Sequence, residues 1–196
     1  MAVPTIQGAH ITLRAIRESD IDDRLAFGRH HEFVHMCGGE TLREPEYPSR
    51  DRWADWFRKT RAEDNLWIID LGGRCIGSAG FHHISPADHS ATYRIGIFDA
   101  AQHSKGIGTE ATRLLLEYGF TVKKWHRIEL KVLEYNHRAI RCYQKCGFKQ
   151  DGILRESAFI EGRYYSDIVM SILDYEYRET AQAAKCGGFQ LERPEL

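Results

Sequence analysis

The chain has 196 residues, with 27 Lys and Arg against 28 Asp and Glu, so its net charge is −1 with neutral His. That length suits one domain around a single core, and the balance of charge argues against a generic nucleic-acid or anionic-membrane binder. At 42% hydrophobic and 28% charged the composition is globular, and no stretch supplies the roughly 18 uncharged apolar residues that a membrane span needs.

The segment from Met1 to Gln7 has no basic start followed by an apolar run, so no secretory signal is expected and the expected location is cytoplasmic. Five scattered cysteines, Cys37, Cys75, Cys142, Cys146 and Cys186, fit reduced thiols better than a disulfide framework. In chain order, the alternation from Ile11 to Ile16 predicts a half-buried strand. Ser19 or Asp20 is placed to cap a helix running to Phe27. From His30 to Arg50, Gly38-Gly39, Pro45 and Pro48 punctuate a loop-rich insertion. Trp53, Trp56 and Phe57 at helical spacing predict an amphipathic helix ending near Glu63.

Leu66 to Asp70 and Cys75 to Phe81, joined at Gly72-Gly73, read as a hairpin. After a loop around Pro86 come a strand from Thr92 to Phe98, a helix from Gly108 to Phe120, a strand from Ile128 to Leu133 and a helix from Arg138 to Lys145. Two further strands are expected at Phe148 to Ile153 and Ile168 to Leu173. Strand and helix alternate only in the middle of the chain, so a mixed α/β (α+β) single domain fits better than a doubly wound parallel sheet. The domain is expected over residues 1–178, with 179–196 as a peripheral C-terminal extension.

Two segments carry candidate chemistry. His103-Ser104-Lys105-Gly106-Ile107-Gly108-Thr109 is a short polar loop between a strand and a helix. Its glycines allow close approach to the backbone, and the helix start offers unpaired N–H groups to a phosphate or pyrophosphate. Lys105 adds positive charge. The loop lacks both the P-loop and the dinucleotide-binding spacing. In the second segment, from Asn136 to Phe148, Asn136 is a good N-cap, Gly147 a good stop, and Tyr143 falls two turns in.

Together these segments resemble the GNAT superfamily of acetyl-CoA-dependent N-acetyltransferases, with its motifs Arg/Gln-x-x-Gly-x-Gly/Ala and Asn-x-x-Ala-x-x-x-Tyr-x-x-x-Gly-Phe. Further on, Gly152 to Glu156 and Glu161 to Met170 look like the branch containing ribosomal-protein N-terminal acetyltransferases. The resemblance spans Ile11 to Tyr175. It implies a GNAT-like fold with a mostly antiparallel sheet of about seven strands, splayed in the middle, and about four helices. It implies acetyl-CoA as cosubstrate, no metal, and a primary amine as acceptor, with a protein N-terminus as the leading expectation. A polyamine, aminoglycoside or amino sugar is the alternative, and a binding module that has lost transfer the third. A homodimer is allowed.

Residue by residue, the resemblance implies that backbone N–H groups from Ser104 to Thr109 hold the pyrophosphate, with Lys105, Gly106, Ile107 and Gly108 between them. The strand through Ile97 and Phe98 would pair with the pantetheine arm and supply the oxyanion site, Asn136 would bond that arm, and Tyr143 would protonate the departing thiolate. Many relatives carry Glu in the strand where this chain has Tyr93 or Arg94, so Glu134 is the expected substitute base. His103 replaces the usual Arg or Gln and is expected to donate to phosphate. Glu110 is read as structural. Acidic lining of the acceptor pocket is expected from Glu32, Glu40, Glu44, Glu46, Asp51, Glu156 and Glu161. His31 with His35, and His82-His83 with His89, form no evident metal set, since adjacent strand residues face opposite ways. Trp53, Trp56 and Trp67 are expected in packing roles.

Overall fold

The computed structural model describes residues 3–28, 31–38 and 49–186. Its eight strands are β1 (Ile6–Gln7), β2 (Thr12–Arg14), β3 (Leu66–Leu71), β4 (Arg74–Ser85), β5 (Ser90–Ile97), β6 (Arg127–Leu133), β7 (Lys149–Ile160) and β8 (Arg163–Leu173). Its helices are α1 (Asp20–Phe27), α2 (His31–Met36), α3 (Arg50–Arg61), α4 (Ile107–Glu117), α5 (His137–Lys145) and α6 (Asp174–Cys186). One sheet runs β1-β2-β3-β4-β5-β6-β8-β7. Every neighbouring pair is antiparallel except β5–β6, which is parallel, with α4 in the crossover.

The sheet is covered on both faces. Trp67 and Ile69 of β3 point into the main core, with Ile107, Ala111, Leu115 and Leu116 of α4 and Tyr143 and Cys146 of α5. Ile68, between them, points the other way and joins Cys75 and Phe98, against which Phe27, Phe33 and Trp56 from α1, α2 and α3 pack. The single run Leu-Trp-Ile-Ile therefore serves two layers, as expected of a strand buried on both sides.

The hairpin at Gly72-Gly73 forms as predicted, because both glycines take positive φ, 62° and 89°, as a two-residue turn matching the strand twist requires. The predicted helix over residues 108–120 forms as α4 followed by a π-turn at Tyr118–Val122.

Several expectations are corrected. The mixed, mostly antiparallel sheet forms as expected, with eight strands, and the described residues hold six helices, the short β1, α2 and α6 carrying weak periodic signals. Residues 31–36, inside the expected loop, are helical. The last hairpin extends well beyond the apolar runs that announced it. Ser19 occupies the N-cap position of α1 without a side-chain cap bond. Asp20 instead accepts both terminal nitrogens of Arg14, at 2.7 and 2.9 Å, while Arg14 Nε donates to Asp70 at 2.5 Å. All three residues are buried. No helix among the described residues is long and apolar enough to cross a membrane.

Candidate active site

The parallel pair β5–β6 holds together over only three positions, ending at Thr92 opposite Glu129. Beyond that level the strands part, while β6 stays paired to β8 along its whole length, from Arg127 to Leu133. On its other edge β5 stays paired to β4 as far as Ile97, and the Phe98 N–H donates to Ile76 O at 2.7 Å. Hydrogen-bonding direction alternates along a strand, so the N–H and C=O groups of Ile95 and Ile97 face the gap. A cleft of about 760 Å³ opens there.

At one end of the cleft lies the Gly loop. Gly106 is the N-cap of α4 in the left-handed conformation, φ 88°, and Ser104 also has positive φ, 62°. Such turns aim successive N–H groups at one point, and the helix dipole adds its positive end there. A Cβ built on Gly106 meets no atom within 4 Å, so the side chain this position omits would project into open space. Ser104, Gly106, Gly108 and Thr109 line the cleft, as do Arg138, Arg141 and Lys145 from α5. These cations are absent from the expected site, yet their i, i+3 and i+7 spacing on one helix face is legible in the sequence. The described residues thus fit a diphosphate-bearing extended ligand, with a cradle at the loop and an unpaired strand edge beside it.

Tyr143 stands in the middle of the cleft wall, 7% exposed. Its ring meets Tyr93 at 6.4 Å and Phe148 at 5.8 Å between centroids, and its hydroxyl has no hydrogen-bond partner among the described residues. Burial pushes this phenol well above its ordinary pKa, with the neighbouring Cys142, Cys37 and Cys146 adding to the shift, so it holds its proton at neutral pH. Cys142 and Cys146, four residues apart, both touch Thr109, at 3.3 Å through Cys142 Sγ and 3.6 Å through Cys146 Sγ.

Four expected site residues sit otherwise. Glu134 is exposed and off the cleft, with Oε1 accepting the Ser166 N–H at 2.8 Å. It pins β8, because the carboxylate lies past the end of β6 where the chain has turned away. Phe98 is off the cleft as well: its N–H is given to β4, and its ring packs in the second core beneath the Arg24 guanidinium at 3.5 Å. Lys105 is exposed and does not line the cleft, and the Ile107 side chain is buried in the core. His103 lines the cleft, but its Nε2 lies 3.1 Å from Ile97 O.

Asn136 lines the cleft and caps α5, accepting the Ala139 N–H at 3.2 Å while Nδ2 donates to Met36 O. Glu110 is structural as expected: its carboxylate accepts the His10 and Ile11 N–H groups and fixes the β1–β2 turn to α4.

The acidic lining also differs. Glu32 pairs with Arg138, Glu40, Glu44 and Glu46 lie outside the described residues, and the carboxylates on the cleft are Glu129 and Asp167. Both were missed, although residues 127, 129 and 131 alternate as polar against Ile128, Leu130 and Val132. A β-bulge after His82, with His83 at φ 45°, brings the two histidine rings within 4.5 Å instead of on opposite faces. No group of three or more potential metal ligands occurs among the described residues.

The acetyltransferase (GNAT) domain family matches residues 10–149, and the chain belongs to that family of acetyltransferases. Among its relatives is a spermidine N(1)-acetyltransferase of Vibrio cholerae, 30% identical over 86% of this chain and 96% of that protein. Another from Escherichia coli is 32% identical over 58% of this chain, and the match spans 61% of that relative's length. A Bacillus subtilis protein provisionally named a ribosomal N-acetyltransferase is 26% identical over 86% of this chain and 93% of its own. A crystal structure of the Vibrio cholerae spermidine N-acetyltransferase in complex with CoA and spermine superposes with a TM-score of 0.72 at 25% identity, covering 87% of this chain and 99% of that one.

Proposed function

We propose that this chain transfers the acetyl group of acetyl-CoA to a primary amine of a polyamine. The observation that carries the acceptor is the 30% identity to a spermidine N-acetyltransferase over nearly the whole of both chains. It favours a small cationic amine over the protein N-terminus expected from the sequence. Glu129 and Asp167 on the open side of the cleft are consistent with a cationic guest.

In this reading the N–H groups of residues 104–109 receive the pyrophosphate, aided by Arg141 and Lys145, and Ile95 and Ile97 receive the amide groups of the arm. Acetyl-CoA supplies the thioester, whose cleavage drives transfer. Tyr143 gives the leaving sulfur its proton, and the free main-chain N–H groups of β5 face the carbonyl oxygen as charge develops there. The loop makes a separate prediction. Gly106→Ala places a side chain on a left-handed residue at a cost of about 1–2 kcal/mol, so the acetyl-CoA Kd measured by calorimetry should rise about tenfold.

The test of the acceptor is CoA release from acetyl-CoA against spermidine, spermine, N-terminal peptides, aminoglycosides and amino sugars. A kcat/KM for spermidine or spermine at least about tenfold above every other amine, a difference of about 1.4 kcal/mol, is the expected result. Preference for N-terminal peptides would overturn it in favour of the second reading, which the Bacillus subtilis relative supports.

A further inference from the structure

A polyamine arrives at neutral pH as an ammonium ion, so a group at the cleft must take its proton before nitrogen can attack. The carboxylates near the gap are already engaged. Glu129 Oε2 accepts Nε and Nη2 of Arg127, Asp167 accepts the Ser157 hydroxyl, and Glu63 is paired with Arg94. Glu134 is off the cleft.

His82 is placed differently. It lines the cleft, and its Nδ1 is buried without a hydrogen-bond partner. In register it faces Thr92, which is also the last position at which β5 pairs with β6. The next residue, Tyr93, points to the opposite face and meets the Tyr143 ring. His82 and Tyr143 therefore stand on opposite faces of β5 at one level, where the gap begins. We propose that His82 is the catalytic base that accepts the proton of the attacking ammonium group, an inference that rests on the acetyl-transfer reading above.

The surrounding charges agree with that role. Facing this region are His83 on the same strand, Arg94 with Glu63, Glu129 with Arg127, Lys131 from β6 and Asp167 from β8. Burial first, then the Arg94 and His83 charges, push the His82 imidazole below its ordinary value, which leaves it neutral at pH 7 and able to accept. One proton passes from the ammonium to the imidazole and on to solvent. The nitrogen lone pair then forms the N–C bond, and the C–S bond breaks as the carbonyl reforms. The second proton leaves the nitrogen as the sulfur takes one from Tyr143, so the phenol is restored and one proton is released per acetyl group transferred.

The experiment is the pH profile of kcat and kcat/KM for wild type and His82→Gln, run with whichever amine of the panel the wild type turns over fastest. A different preferred amine then defeats only the polyamine reading, while absence of turnover with every amine defeats both. We expect kcat to fall about 100-fold or more in the variant, acetyl-CoA affinity to stay within about threefold, a change under about 0.7 kcal/mol, and the acidic limb of the wild-type profile to disappear. A kcat within threefold of wild type with the same limb overturns the proposal. Should the variant fold poorly or lose acetyl-CoA, the imidazole titration of His82 followed by NMR in the wild type decides. A midpoint coinciding with the kinetic limb supports the role, and one displaced from it overturns it.

Discussion

Tyr143→Phe is expected to lower kcat about 100- to 1,000-fold while leaving acetyl-CoA affinity nearly unchanged, as loss of a general acid does. The substitution removes one oxygen and keeps the ring that packs on Tyr93 and Phe148, so the core it joins is conserved. The hydroxyl has no protein partner among the described residues to leave stranded. Single-turnover kinetics with a series of amines separates the effect from binding. An equal loss in acetyl-CoA Kd and in kcat/KM would instead make Tyr143 a packing residue.

The second large effect concerns stability. Arg14→Leu should destabilise the fold by about 3–5 kcal/mol, the usual consequence of removing one partner of a buried ion pair. Asp20, fully buried, would lose both guanidinium contacts and keep only the Arg17 N–H. Asp70 would keep only the Gly73 N–H. These three side chains join β2, α1 and β3, so the loss falls on the layer in which Phe27 and Phe33 pack against Ile68, Cys75 and Phe98. Urea unfolding with a shifted midpoint and an unchanged slope is the readout. A change below about 1 kcal/mol would mean that the interior accepts a neutral replacement there.

Local chemistry legible in single segments survives in the structure. The Gly72-Gly73 turn, the Asn136 cap and the left-handed Gly106 each depend on neighbours within a few residues. What the sequence did not disclose depends on how strands lie beside one another. Glu134 sits two residues before a motif asparagine, yet β6 ends before it and its carboxylate turns to β8. Phe98 looked like a continuation of β5, but the strand's last N–H belongs to Ile76. His82 was read only as a metal candidate, because no local pattern reveals which residue of β5 it will face or that a bulge will follow it. The cleft carboxylates were sought in loops, where acids are dense. They come from β6 and β8, where one polar residue in two marks a solvent-facing strand surface.

The three-position contact between β5 and β6 gives the molecule an uncommon mechanical character. Eight strands make one sheet by connectivity, but across its centre the two halves are laddered only at Ser90–Arg127, Ala91–Ile128 and Thr92–Glu129, extended by the His126 N–H donating to His89 O at 2.6 Å. Past that seam β5 behaves as an edge strand inside the protein, its gap-facing main chain unpaired with β6, although the His103 ring meets Ile97 O at 3.1 Å. An extended amide chain bound there acts as a removable partial strand. The guest would lie on Ile95 and Ile97, directly beyond the seam at Ser90 to Thr92, so loosening the seam changes the spacing of the gap into which the guest must fit.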